Sequence, residues 1–429
     1  MSIIPPEIIS IIKEKWQHVG FQKYLKNTSW MFIGQFSMII SLAVNIWMAR
    51  YLGPTNFGNL SYVFAFTGIF AFIANLGVND ILIRELVKDP QKTNELLGTA
   101  SWILGIGGIV AFLTASTSAI IFESSNLIKV LIILYSTIFI WSPASVVPYY
   151  FQSIVQAKRN TWAQILTVII SSIFKIFLIL TGKGIIWLVF SFALDYIIST
   201  ILYIYNYFKS DLHFKYWKFD WPIAKIFLSA SFYLTLSAAT GYLLLKIDQV
   251  MIKFYLTETQ VGLYAVAVKL SEIWYFIPGI ICASLFPAII NAKTADAHTY
   301  NQRLKRLYIF LGTISLLIAV PVAVLAPWII KILYGASYLD SIGILQIYVW
   351  SSIGFFIGTG INKFLMTENY LKSIFFYNLL AVATNIILNI ILIPRIGLTG
   401  AAWSTLISYS VIPVVFFISR KFKFKIINE

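Results

Sequence analysis

Charge is the scarcest ingredient of this chain: charged residues make up 11% of its 429 residues, against about 25% in an ordinary soluble domain. A water-facing surface cannot be assembled from so few. A soluble enzyme, a nucleic-acid-binding domain and a disordered chain are therefore poor readings. Histidine is limited to His18, His213 and His298, far apart in polar stretches, and Cys282 is the one cysteine. A single cysteine forms no intrachain disulfide and says nothing of redox compartment. Neither CxxC nor HxxxH spacing occurs, so no zinc site is expected. P-loop and GxSxG signatures are missing as well, which speaks against ATP hydrolysis and acyl-enzyme chemistry. The expectation is a non-enzyme without metal or cofactor; coupling to H+ or Na+ stays open.

What the chain has instead is apolar length. Hydrophobic residues reach 59%, aromatic ones 17%, and the mean hydropathy is +0.82. Twelve runs approach or exceed the roughly 20 residues of a spanning helix: 28–50, 58–79, 97–122, 127–151, 162–181, 184–206, 227–254, 262–290, 307–333, 341–364, 373–393 and 398–418. The leader is no cleavable signal, because Glu7, Lys13, Glu14 and Lys15 interrupt its first apolar patch. Ile8, Ile12, Trp16 and Val19 fall at helical spacing, so residues 5–24 read either as an amphipathic surface helix or as a floppy leader. With the N-terminus in the cytoplasm, twenty-two of the 32 Lys and Arg lie in cytoplasmic segments and six in outer ones. The positive-inside rule thus places both termini in the cytoplasm. The net charge of +15 is mostly this topology.

The chain also repeats itself. Tyr51–Gly58 reads YLGPTNFG and Tyr255–Gly262 reads YLTETQVG, matching at Tyr, Leu, Thr and Gly with an offset of 204. A fainter echo pairs Gly184 and Trp187 with Gly400 and Trp403 at offset 216. The longest polar break, Lys209–Trp221, lies between the copies. The expected fold is an all-α polytopic membrane protein of twelve transmembrane helices in two six-helix lobes. Its parts are a cytoplasmic segment 1–26, an N-lobe 27–206, a cytoplasmic linker 207–226, a C-lobe 227–418 and a basic tail 419–429. Two six-helix repeats share one orientation and place a substrate path between them.

Asn45–Ile46–Trp47–Met48–Ala49–Arg50–Tyr51–Leu52–Gly53–Pro54, then Phe57–Gly58, resembles the first hairpin of the polysaccharide-unit (O-antigen and capsule, Wzx-type) flippases. Asn75–Leu76–Gly77 followed by Arg84, Asp248–Gln249–Val250–Met251–Ile252, Val261–Gly262–Leu263–Tyr264, Phe286–Pro287, Ile393–Pro394–Arg395–Ile396–Gly397 and Gly400–Ala401–Ala402 extend the resemblance over nearly the whole chain. That family belongs to the multidrug/oligosaccharidyl-lipid/polysaccharide exporter superfamily. The resemblance implies MATE-like lobes, alternating access, and export of an undecaprenyl-pyrophosphate-linked oligosaccharide across a bacterial inner membrane. It further implies a polysaccharide polymerase and a chain-length regulator as partners, beside membrane lipids, and no nucleic acid.

Ionisable groups within spans are functional candidates, because burying their charge in lipid costs several kcal/mol. Asp248 precedes the turn at Tyr255 by seven residues, and Lys269 follows Gly262 by seven, so both sit about 10 Å from that turn. They are expected to pair or to line a wet cavity together, with Lys246 and Glu272 one turn away. Their counterparts at offset 204 are Leu42, Val44, Ala65 and Gly68, so the scaffold does not need charge there. A structural salt bridge is the competing reading. Lys246 and Lys269 suit a pyrophosphate; Asp248 and Glu272 would set their charge or couple transport to a cation. Secondary candidates are Arg50, Arg84, Lys175, Asp195, Lys363, Asn385 and Asn389. Lys175 and Asp195 differ in depth, which argues against direct pairing. Arg50 and Lys363 fit interfacial anchors, and Arg84 an interfacial pair with Glu85. Asn385 and Asn389, at i, i+4, suit sugar hydroxyls or interhelical packing. Competing functions are a cation-coupled multidrug exporter, a lipid II flippase and, less well supported, a membrane polysaccharide polymerase.

Overall fold

The computed structural model describes residues 19–210 and 212–427. All regular structure among them is helical. In chain order the α-helices are α1 Val19–Ile69, α2 Ala71–Asn75, α3 Val78–Lys88, α4 Thr93–Phe122, α5 Asn126–Ser136, α6 Val146–Ser153, α7 Ala157–Leu180 and α8 Ile185–Phe208. They continue with α9 Trp221–Tyr255, α10 Glu258–Glu272, α11 Phe276–Ala295, α12 Ala297–Leu333, α13 Ser341–Tyr348, α14 Ser351–Thr367, α15 Leu371–Ile396 and α16 Leu398–Ile427. Among the described residues, 10 stretches are long and apolar enough to cross a membrane, from Pro90–Phe122 to Leu398–Ser419. They coincide with the ten expected runs from 97–122 onward.

The first two expected runs fall on α1, α2 and the start of α3. Gly53 interrupts α1 at φ 67°, ψ 172°, a conformation open to a residue without Cβ, and Pro54 starts the second arm. That arm ends at Ile69, short of the expected boundary; the chain then breaks again at Leu76 (φ 45°) and Gly77 (φ 59°) before α3. The expected amphipathic segment lies outside the described residues up to position 18. The polar break between the halves is short: a 3-10 turn at Phe214–Tyr216 separates α8 from α9, which begins earlier than the sequence suggests.

Two compact units emerge, and they are not contiguous in sequence. Among the described residues, one comprises those up to Asn45 with Ile73–Ile120 and Ile133–Ser231; the other comprises Ile46–Phe72, Ile121–Ile132 and those from Phe232 onward. In the first, Leu97, Leu104, Val146, Val147, Phe151, Leu188 and Tyr207 are buried. In the second, Tyr300, Leu304, Tyr308, Leu311, Phe356, Phe364 and Phe416 form one core, and Leu244, Ala381, Val382, Tyr409 and Ile412 form another that ties α9 to α15 and α16. Outward faces are equally apolar: Ile309, Leu317, Val324, Trp328 and Ile332 are all exposed along α12. In water such a patch would aggregate; against lipid it is an ordinary surface.

Prolines act differently from place to place. Pro143 lies in a nine-residue 3-10 stretch, Thr137–Ser145, whereas Pro321 and Pro327 sit inside a continuous α12. Within α14, Gly354 packs closely: a Cβ there would lie 2.5 Å from the Tyr409 carbonyl oxygen. At the start of α12, Asp296 accepts from the backbone N–H groups of His298 (3.0 Å) and Thr299 (2.9 Å). These bonds favour the ionised form and hold its carboxyl below the usual range.

Candidate functional site

The second unit gathers a polar cluster inside its apolar packing. Asp248 on α9 is only 3% exposed, and Asn385 and Asn389 on α15 are fully buried. Their i, i+4 spacing puts the two asparagines on one helix face. Asn389 Nδ2 donates to Asp248 Oδ1 at 2.6 Å and to Asn385 Oδ1 at 3.0 Å. Asp248 Oδ2 accepts from the Tyr264 hydroxyl of α10 at 2.9 Å and from Thr405 Oγ1 of α16 at 2.5 Å. Thr405 Oγ1 also lies 3.0 Å from the Ala401 carbonyl oxygen. Four helices therefore meet at one carboxylate, and these three donors to it are all neutral.

A second carboxylate continues the network. Glu272 Oε1 accepts from the Tyr348 hydroxyl of α13 at 2.8 Å, and the Tyr348 and Tyr264 rings meet edge to face at 5.8 Å. Nearby, Tyr275 stacks on Phe355 at 3.8 Å and contacts Tyr409 edge-on. Several polar atoms here are buried without a hydrogen-bond partner: Asn385 Nδ2, Asn389 Oδ1, Ser271 Oγ and Tyr409 Oη. Buried polar atoms are normally satisfied, so this cluster has spare capacity for a small polar occupant. Oxygen predominates among its donors, one of them a carboxylate. That set matches a hard cation or a proton rather than a transition metal.

The two lysines lie against α1, with Lys246 within electrostatic reach of Glu272. Lys269 Nζ lies 5.5 Å from the centroid of the Phe57 ring on α1. A Cβ on Gly68 would stand 3.5 Å from Lys246 Cγ, which places the lysine stem against the second arm of α1. The expected Asp248–Lys269 pair is thus corrected. Shared depth does not make the two partners: Tyr264, not Lys269, is the α10 residue that faces Asp248. Five residues separate Tyr264 from Lys269, about 140° around a helix. Lys246 and Asp248 diverge for the same reason, two residues apart being about 200°.

The secondary candidates scatter. In the first unit Lys175 Nζ lies 2.5 Å from Asp195 Oδ2 and 2.7 Å from Ser171 Oγ, and 4.0 Å from the Phe192 ring centroid. The expectation that a difference in depth keeps Lys175 and Asp195 apart is therefore corrected: the flexible four-carbon stem of lysine bridges the offset. Arg50 donates to the Ile332 carbonyl near the end of α12, where free carbonyls favour a cation. Arg84 pairs at 3.0 Å with its neighbour Glu85 and its side chain is 61% exposed. Lys363 is exposed near the end of α14. Sequence reasoning missed Tyr264, Tyr348 and Thr405. Tyr264 was accessible from the level of Asp248 on the neighbouring helix; one hydroxyl on α16 carried no signal.

The repeated turn is itself a contact. Thr55 and Thr259, equivalent at offset 204, have hydroxyls 2.8 Å apart. A Cβ on Gly58 would fall 1.8 Å from the Glu258 carbonyl oxygen, and one on Gly262 would fall 2.0 Å from that of Pro54. Gly58 and Gly262, and Pro54 and Glu258, are again equivalent at that offset, so the crossing is reciprocal. Where the first copy bends at Gly53, its counterpart Thr257 caps α10 in a reciprocal bond with Gln260. Tyr338 adds a hydroxyl bond to the Ala49 carbonyl at 2.7 Å.

Known proteins share this sequence and this fold. Residues 47–343 match the family described as polysaccharide biosynthesis protein. Two curated relatives from Haloferax volcanii are a probable flippase AglR, 28% identical over 166 residues, and a probable low-salt glycan biosynthesis flippase Agl15, 25% identical over 211 residues. These matches cover 38% and 47% of this chain, and 35% and 44% of the relatives, so each takes in under half of the relative's length. In fold, the chain is similar to an inward-facing multidrug resistance MATE family transporter of the MOP superfamily, with TM-score 0.72 at 16% identity over 91% of this chain and 95% of that one. It is also similar to the lipid II flippase MurJ in an inward closed conformation, with TM-score 0.69 at 17% identity over 91% and 87%.

Proposed function

This chain belongs to the polysaccharide biosynthesis protein family, and from that premise we propose that it is a flippase moving a lipid-linked oligosaccharide across a cytoplasmic membrane by alternating access. The single observation that carries the reading is Asp248: a buried carboxylate held by three neutral donors where four helices meet. Its counterpart in the first repeat is Val44, so the fold builds the same helix without it. A charge that the scaffold does not require serves transport. In this reading Asp248, Asn385, Asn389 and Thr405 take the coupling ion, Na+ or H+. Lys246 and Lys269, turned toward α1, meet the pyrophosphate of the carrier, where a low dielectric strengthens the attraction. The transported unit is an undecaprenyl-pyrophosphate-linked repeat for O-antigen, capsule or exopolysaccharide, in the inner membrane of a bacterium. A polymerase and a chain-length regulator act on the product.

The topology that goes with this function has twelve spans: the 10 apolar stretches together with the two arms of α1 and their continuation. They form lobes at 27–206 and 227–418, joined by a linker at 207–226, with both termini cytoplasmic. Charge reversal by Lys269→Glu is expected to abolish surface glycan while the protein still reaches the membrane fraction in normal amount. Normal surface glycan in that variant would remove Lys269 from the substrate path.

A cation-coupled drug exporter is the second reading. A buried carboxylate such as Asp248 is also what a cationic drug would use, and the MATE fold accommodates both.

A further inference from the structure

The linker between the halves is built as a strap over a groove. Within the first unit, Tyr207 stacks on Phe214 at 5.2 Å, and Trp217 meets Phe214 edge-on at 4.7 Å while its Nε1 donates to the Tyr207 hydroxyl at 2.8 Å. The strap then docks on α4. Lys218 N donates to the Asn94 carbonyl at 3.4 Å, and Asp220 N donates to Thr99 Oγ1 at 2.9 Å. Gly98 permits the approach, since a Cβ there would sit 2.5 Å from the Lys218 carbonyl oxygen. Beside the docked strap lies an open cavity of about 290 Å³, lined by Gly98, Ser101, Trp102, Gly105, Ile106 and Ile109 of α4, with Pro143 and Trp217. Its lining is overwhelmingly apolar, and Trp102, Ile106 and Ile109 are themselves exposed. From Gly98 to Ile109 the groove follows α4 for about 16 Å.

The strap beside it is chemically different. Residues 209–225 carry Lys209, Lys215, Lys218 and Lys225 against Asp211 and Asp220. Asp220 is committed, its Oδ1 accepting from the Ile223 backbone at the start of α9. All four lysines are exposed, as are Tyr216, Phe219 and Trp221. Aromatic rings with such a belt of lysines mark the headgroup level of a membrane. An apolar groove about 16 Å long therefore lies beside a strap that carries exposed lysines.

We propose that this groove and strap form a binding site for an anionic phospholipid, one acyl chain lying along α4 against Gly105 and Pro143, and the phosphate meeting Lys215 and Lys218. The charge of the strap selects an anionic headgroup over a zwitterionic one, and the apolar lining of the groove admits an acyl chain. The bound lipid fills the space between strap and helix and holds the linker docked. This site is separate from the Asp248 cluster and does not rest on the transport reading.

The test uses the full chain in phosphatidylcholine vesicles doped with a phosphatidylglycerol carrying a photoactivatable group in its acyl chain. Adducts are expected to concentrate on the segment Trp102–Ile109 and on Trp217. Lys215→Gln and Lys218→Gln are surface changes, each expected to lower the preference for phosphatidylglycerol over a matched phosphatidylcholine probe by about fivefold. Gly105→Leu is expected to remove the adduct while the protein keeps its elution position in detergent. Equal labelling by both probes, labelling spread over all lipid-facing helices, or an adduct unchanged in Gly105→Leu would overturn the proposal. Displacement of the phospholipid by an equal amount of polyprenyl phosphate would also overturn it and assign the groove to the carrier.

Discussion

Gly262→Ala is expected to lower the melting temperature clearly and to reduce translocation to near background, although it adds one methyl group. The new Cβ would lie 2.0 Å from the Pro54 carbonyl oxygen and 3.0 Å from Gly58 N. Both neighbours are backbone, so no side chain can swing aside, and the two turns must part by an ångström or more. Overpacking of this kind costs about 1–3 kcal/mol, and with a rigid neighbour the upper end applies. Parting the turns also strains the Thr55–Thr259 contact, the Tyr338 bond to Ala49 and the Arg50 bond to Ile332. On the proposed reading, a transporter whose turn crossing is forced apart would lose the packing on which its cycle depends. Gly343→Ala is the control, because nothing lies within 4 Å of a Cβ there. It should match the parent in melting and translocation. Parent-like behaviour of Gly262→Ala would show that the crossing is neither tight nor needed.

The second large effect concerns Asp248, where two substitutions separate structure from coupling. Asp248→Leu removes the acceptor for Tyr264, Asn389 and Thr405. Thr405 has an alternative in the Ala401 carbonyl at 3.0 Å, the Tyr264 hydroxyl has one in Thr405 Oγ1 at 3.1 Å, and Asn389 Nδ2 keeps Asn385 Oδ1, so the loss falls mainly on one N–H of Asn389. A buried donor left without an acceptor costs about 1–3 kcal/mol, and thermal unfolding should reveal a destabilisation of that order. Asp248→Asn keeps an acceptor oxygen and most of the packing. It should fold nearly as well yet lose the dependence of translocation on an imposed Na+ or H+ gradient. If Asp248→Asn transports with unchanged ion dependence, the cluster is structural and the coupling role falls.

The existence of the later spans was legible because length and apolar content alone define them, while α9 and α12 begin earlier than expected. The first two were harder. Gly53 and Pro54 bend one helix where sequence suggests a loop, and the second arm is cut at Ile69 and again at Leu76–Gly77. The offset of 204 was visible as a likeness between two turns; that Thr55 touches Thr259 and Gly58 meets the Glu258 carbonyl is tertiary information. Within the site, spacing gave the depth of Asp248 and Lys269 but not the rotation of their helices, and rotation decides partners. Lys175 and Asp195 show the converse, since stem length overrode a difference in depth. Asn385 and Asn389 were recognisable as one polar face, but not that Asn389 on that face bonds Asp248.

The most direct test of the central claim is translocation by the purified protein in vesicles. One assay follows a lipid-linked oligosaccharide whose fluorophore is quenched only when it reaches the opposite leaflet, and the other follows efflux of a cationic dye. A flippase of this kind should give protein-dependent movement of the oligosaccharide, lost in Lys269→Glu, with no dye efflux above empty vesicles. Dye efflux driven by an ion gradient, with the oligosaccharide left in its original leaflet, would contradict that function and establish the drug exporter instead.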